Sequence, residues 1–199
     1  LSADLCRENL AAICNKANDH AIEVIVSAEG PDRTDKVIDT YRWASARFSN
    51  VSITVQAYLH RTREDFAELI QLPGRIRMVK GAFDAPGSVA MSRGDDLNAV
   101  YLSYVESLLA SNHRCAIATH DATIQDEVRT LIERHQPDRD TYEFESLYGI
   151  RNEALDALHR DGYPAKLYFV YGREWYLYLC NRIAEYPLNL FRAIHDMVE

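Results

Sequence analysis

Six short β-branched runs, each followed by an amphipathic helical pattern, limit this chain more than any other feature. The runs are EVIVSAEG (Glu23–Gly30), VSITVQAYL (Val51–Leu59), RIRMVKGAF (Arg75–Phe83), CAIATHD (Cys115–Asp121), YEFESLYG (Tyr142–Gly149) and KLYFVYG (Lys166–Gly172). Between them, apolar residues recur at helical spacing, as in Val37, Tyr41, Ala44 and Phe48. A helix precedes the first run, with Leu5, Leu10, Ile13, Cys14 and Ala17 on its apolar stripe and Ser2 as its cap. Thr62 and Asp65 read as the opening of the third helix, and a long helix starts at Glu174 and breaks near Pro187. Strict strand–helix alternation predicts a parallel α/β fold.

Two parallel architectures compete, a doubly wound open sheet and a TIM-type (β/α)8 barrel. Polar residues close most of the runs: Ser27 and Glu29, Gln56 and Tyr58, Lys80, Thr119 to Asp121, Glu143 and Glu145, and Tyr171. A barrel spreads its functional groups over many strand C-termini, whereas an open sheet gathers them at one switch point. The barrel is favoured, with about six of its eight strands in this chain. The chain opens on Leu1 and a helical pattern. The expectation is one barrel domain over residues 1–199 that lacks its N-terminal strands.

Composition removes several function classes. The 199 residues are 47% hydrophobic, enough for a sizeable core, and carry 22 basic against 30 acidic side chains, a net charge of -8. A nucleic-acid binder needs a basic face, so no such partner is expected. No run approaches a transmembrane span, and no signal peptide is expected. The expected location is cytoplasmic, or mitochondrial in a eukaryote, with peripheral membrane association compatible with either. Cys6, Cys14, Cys115 and Cys180 show no CxxC spacing and are expected as reduced thiols. There is no GxGxxG and no GxxxxGK[ST]. His120 with Asp121, Glu29 and Glu143 could line a metal site, but no HxH or HExxH pairs them, and no metal is expected.

The cations of RIRMVKGAF need an explanation, because an unpaired buried charge is expensive. Arg77 in mid-strand and Arg182 on the last helix would together suit an anionic substrate or cofactor. The competing reading pairs Arg77 with Glu29 or Glu143. Aromatic residues crowd the C-terminal third, among them Tyr163, Tyr168, Phe169, Tyr171, Trp175, Tyr176 and Tyr178. They either wall a flat ligand or pack the core.

VQAYL, RIRMVKGAF, ATHD, EFESLYG and YFVYG stand in the order and spacing of the QAY, RLVKGAY, ATHN, EFQMLYG and VYxPYG motifs of flavin-dependent proline dehydrogenases, which they resemble. YLCNRIAEYP (Tyr178–Pro187) is similar to that family's YLxRRxxEN helix. The resemblance implies a (β/α)8 barrel with FAD at its mouth. It implies oxidation of L-proline to 1-pyrroline-5-carboxylate, with a quinone or other acceptor taking the electrons. It places Ala28, Gln56, Arg77, Lys80, Gly81, Ala82, Thr119 and His120 against FAD, with Arg77 beside the reactive nitrogen as the catalytic cation. Ser27, Phe83, Tyr168, Tyr178, Asn181, Arg182 and Glu185 fall at the substrate positions.

Three of these depart from the family: Ser27 replaces Asp, Phe83 replaces Tyr, and Asn181 replaces a second Arg. Losing one charge-assisted bond to a carboxylate costs about 1.5–3 kcal/mol, roughly 10- to 100-fold in affinity. Two other readings are therefore kept: the same flavin chemistry on a modified proline in a specialised biosynthetic pathway, and a non-catalytic barrel. Oligomeric state is not legible.

Overall fold

The computed structural model describes residues 2–173, 176 and 180. Its elements alternate without exception from the first strand on: α1 (Ala3–Asn18), β1 (Val24–Val26), a 3-10 turn (Pro31–Arg33), α2 (Thr34–Ser45), β2 (Val51–Gln56), α3 (Thr62–Leu69), β3 (Ile76–Val79), α4 (Asp95–Ala110), β4 (Cys115–Ala118), α5 (Ala122–His135), β5 (Tyr142–Leu147), α6 (Asn152–Arg160) and β6 (Ala165–Tyr168). All strand pairings are parallel, and the sheet runs in chain order from β1 to β6. A doubly wound sheet would reverse its order at a switch point, and none occurs here. The arrangement is the sequential one of a (β/α) barrel, with β1 and β6 as edges among the described residues.

The two sheet faces differ sharply in chemistry. Val51, Ile53 and Val55 of β2 share a face with Ile76 and Met78 of β3, Cys115 and Ile117 of β4, and Tyr142 and Phe144 of β5. All are buried. They form one core with Ile38 and Tyr41 of α2, Phe66 and Leu69 of α3, Tyr101 and Val105 of α4, Ile124 and Val128 of α5, and Leu155 and Leu158 of α6. The opposite face carries Ser52, Thr54 and Gln56, Arg77, Ala116 and Ala118, and Glu143 and Glu145. That polar face corresponds to the inside of a barrel.

Local chemistry sets the boundaries. Ser2 caps α1, its hydroxyl accepting from Leu5 N at 3.1 Å, as its position predicts. Asp121 caps α5 through the N–H groups of Thr123 and Ile124. Thr62 does not act as a cap: its hydroxyl donates to the carbonyl of Gln56 at 2.6 Å and ties α3 to the end of β2. The first strand is three residues, shorter than its β-branched run, and a 3-10 turn follows at Pro31. The last two runs also extend as strands only to Leu147 and Tyr168. The helix expected from Glu174 lies outside the described residues.

Candidate active site

Charge on the polar face is arranged in tiers. In the lowest, Arg75 is 7% exposed. Its Nε lies 3.2 Å from Glu23 Oε2 and its Nη1 3.6 Å from Glu143 Oε1, while Nη1 also donates to Cys115 O at 3.1 Å. Arg114 joins Glu23 at 3.2 Å, and Lys166 joins Glu143 at 2.6 Å. The first cation of RIRMVKGAF is thus a buried tie between the start of β1 and β5.

One pleat higher, Arg77 Nε donates to Glu145 Oε1 at 2.6 Å, and Nη2 reaches the same oxygen. The Glu145 side chain is 2% exposed. The Arg77 guanidinium also lies over the Tyr168 ring, 5.1 Å from its centroid, a cation–π contact. Pairing Arg77 with Glu29 or Glu143 is therefore not what occurs. The register explains the choice. Arg77 stands beside Ala116, and Ala118 stands beside Glu145. With only methyl groups on this face of β4, the arginine can span a whole strand to reach β5.

At the rim, Lys80 Nζ lies 3.0 Å from Asp121 Oδ2. Burial pushes the Asp121 carboxyl up, but the Lys80 bond and charge, with the Ile124 and Thr123 N–H groups, outweigh it and hold it below the usual carboxylate value. The turn after Lys80 is clasped by Tyr58. Tyr58 N donates to Lys80 O at 2.9 Å, and Tyr58 OH donates to Phe83 O at 3.0 Å. Gly81 has φ +118°, and a Cβ there would meet Tyr58 Cδ1 at 2.2 Å. The glycine expected to admit a cofactor is required first by the Tyr58 ring.

The remaining expected positions fall around this rim. Gln56 is buried, with Nε2 donating to Glu29 O at 3.1 Å, so its amide plane is fixed. Thr119 is buried: its N–H donates to Glu145 O at 3.2 Å, and its Oγ1 accepts from Asp121 N at 3.2 Å. His120 is half-buried, and its carbonyl accepts from Arg151 Nη1 at 3.3 Å. Ala28 is half-buried, whereas Ser27 and Ala82 are exposed. Phe83 and Tyr168 are each 41% exposed, leaving aromatic surface at the rim. Tyr178, Asn181, Arg182 and Glu185 lie outside the described residues. Among the described residues no group of three or more His, Cys, Asp or Glu could hold a metal ion.

The donor set is chemically suited to a flavin nucleotide. A fixed amide at Gln56 and an ammonium at Lys80 stand at the ends of neighbouring strands β2 and β3, and a guanidinium at Arg77 stands within β3 below them. Such groups match ring carbonyls, a reducible ring and a diphosphate. Sequence reasoning missed the partners: Glu145, Asp121 and the clasping role of Tyr58. A signal existed for the first two, since ATHD and EFESLYG carry acids where ATHN and EFQMLYG carry amides.

The class defined by this fold and rim is a parallel (β/α)-barrel domain with a polar, ion-paired mouth. A sequence profile described as proline dehydrogenase matches residues 1–186, and the chain belongs to that family. Proline dehydrogenase 2 of Bacillus subtilis is 34% identical over 199 residues, covering 100% of this chain and 66% of the relative. Proline dehydrogenase of Deinococcus radiodurans is 34% identical over 198 residues, covering 98% of this chain and 64% of the relative. The chain thus spans just under two thirds of the length of these relatives. In three dimensions it is similar to proline utilization A of Bdellovibrio bacteriovorus, solved after inactivation by N-propargylglycine. The TM-score is 0.83 at 20% identity, over 92% of this chain and 22% of that one. At that identity the likeness shows the fold alone.

Proposed function

We propose that this chain is the FAD-binding part of a proline dehydrogenase-type barrel that oxidises L-proline to 1-pyrroline-5-carboxylate. The observation that carries the reading is the placement of Gln56, Lys80, Thr119 and His120 at the C-terminal ends of three successive strands, β2, β3 and β4, with Arg77 on the polar face of β3 beneath them. Active sites of (β/α) barrels are built at that end. FAD would be held by Ala28, Gln56, Arg77, Lys80, Gly81, Ala82, Thr119 and His120. When bound it supplies the hydride acceptor for the carbon next to the proline nitrogen.

The chain's own groups orient and tune that chemistry. Gln56, locked to Glu29 O, presents a fixed amide at no cost in reorganisation. Arg77 is held in place from two sides, by Glu145 and by the Tyr168 ring. It would stabilise negative charge as the ring is reduced. Phe83 and Tyr168 supply apolar walls for a five-membered ring. Arg182, with Asn181 donating a neutral hydrogen bond, would anchor the substrate carboxylate. Electrons would leave to a quinone or another acceptor. No helix among the described residues is long and apolar enough to cross a membrane. We place the activity in the cytoplasm, or in the mitochondrion of a eukaryote, with peripheral membrane association compatible with either.

The visible spectrum of the purified protein, before and after anaerobic L-proline, tests this. A flavin spectrum bleached by proline is the expected result. A protein that never takes up FAD refutes the cofactor, and bleaching by a modified prolyl compound but not by proline refutes the substrate.

A further inference from the structure

Arg77 and Lys80 are each matched by one carboxylate, and both carboxylates stand where the family motifs carry amides. Glu145 stands at the glutamine of EFQMLYG and holds Arg77. Asp121 stands at the asparagine of ATHN and holds Lys80. An amide could accept a hydrogen bond from either cation but could not cancel its charge. The Glu145 side chain is 2% exposed, so solvent screens its pair little. Among the described residues, Oε1 is the only Glu145 carboxylate oxygen that is bonded, and both bonds come from Arg77. Asp121 is fixed by a second duty, since Oδ1 accepts from Thr123 N at 3.1 Å while Oδ2 meets Lys80.

We propose that Glu145 and Asp121 are built-in counter-ions that discharge Arg77 and Lys80, setting the reduction potential and the anion affinity of the flavin site. The proposal rests on the FAD reading above. Both are positioning residues: they act through the cations and touch neither substrate nor cofactor. An ion pair presents a dipole where a lone guanidinium presents a net charge, so it favours an electron-rich reduced ring less. The same argument weakens the attraction of Lys80 for a diphosphate.

The test replaces each acid by its amide and reads the flavin rather than turnover. In Glu145→Gln, the reduced form should gain at least tenfold over the oxidised form. That raises the two-electron midpoint potential by about 30 mV or more. In Asp121→Asn, the FAD dissociation constant should fall about tenfold at low salt. That gain should shrink as ionic strength rises, because the freed Lys80 is partly exposed. If Glu145→Gln does not fold, the double variant Arg77→Gln/Glu145→Gln answers the same question. A neutral pair replaced by a neutral pair should keep the wild-type potential, whereas loss of a full charge would lower it by about 30 mV or more. Wild-type protein that binds FAD, with an unchanged potential in Glu145→Gln or a lowered one in the double variant, overturns the proposal alone. Wild-type protein that binds no FAD overturns it together with the function beneath it.

Discussion

Replacing Gly81 by alanine is the sharpest perturbation the rim offers. Two separate costs arise. At φ +118° an L-residue is strained, typically by about 1–3 kcal/mol. The added methyl would also sit 2.2 Å from Tyr58 Cδ1 and 2.5 Å from Cε1, inside the ring's contact radius. Tyr58 is 6% exposed and tied to Phe83 O, so it cannot swing away cheaply. Overpacking of this kind costs about 1–3 kcal/mol more. The sum, roughly 2–6 kcal/mol, is a large part of the ~5–15 kcal/mol that stabilises an ordinary domain. Urea unfolding followed by circular dichroism would measure it for Gly81→Ala, Tyr58→Ala and the double variant. Only the steric part disappears when the ring is removed, so the double variant should be more stable than additivity predicts by about 1–3 kcal/mol. Strict additivity, or a Gly81→Ala unfolding free energy within about 0.5 kcal/mol of wild type, would refute the claim that Tyr58 dictates this glycine. Because the same ring clasps Lys80 and Phe83, Gly81→Ala should weaken FAD uptake as well.

Other outcomes follow from the same structure. Arg75→Met should destabilise by about 3 kcal/mol, the low end for breaking a buried ion pair. Glu23 keeps Arg114 and Glu143 keeps Lys166, and denaturant titration reads the loss. A native thiol titration should find Cys6 reactive and Cys115 silent until denaturation. Cys6 is exposed, whereas burial pushes the Cys115 thiol up to about 12 and raises Cys14 as well. The Asp121 carboxyl is held below its unfolded value, so its stabilising contribution is present at neutral pH and is lost as pH falls through the folded-state value. The stability gap between wild type and Asp121→Asn should accordingly close on acidification below the ordinary carboxylate range, and a gap independent of pH would contradict the Lys80 pairing.

The alternation of periods two and near four was legible because each strand must bury one face and each helix one stripe. VSITVQ and CAIA are strands on that ground alone, and the polar strand ends already pointed to a barrel mouth. Boundaries were less legible: Thr62 looks like a cap, yet its hydroxyl serves Gln56 O. The resemblance placed Arg77, Lys80 and Gln56 at the rim, but their partners were out of reach. Arg77 and Glu145 are 68 residues apart and sit on strands that are not neighbours.

The sequence by itself determined the parallel alternating fold and the family, since these depend on local periodicity and on short motifs in order. Tertiary structure alone decided how the described cations of the mouth are paired. Parallel registry sets Arg77 beside Ala116, and Ala118 beside Glu145, so the two charged side chains meet over a strip of methyl groups. Three strands must already be aligned before that pairing exists, and no window of the sequence contains it.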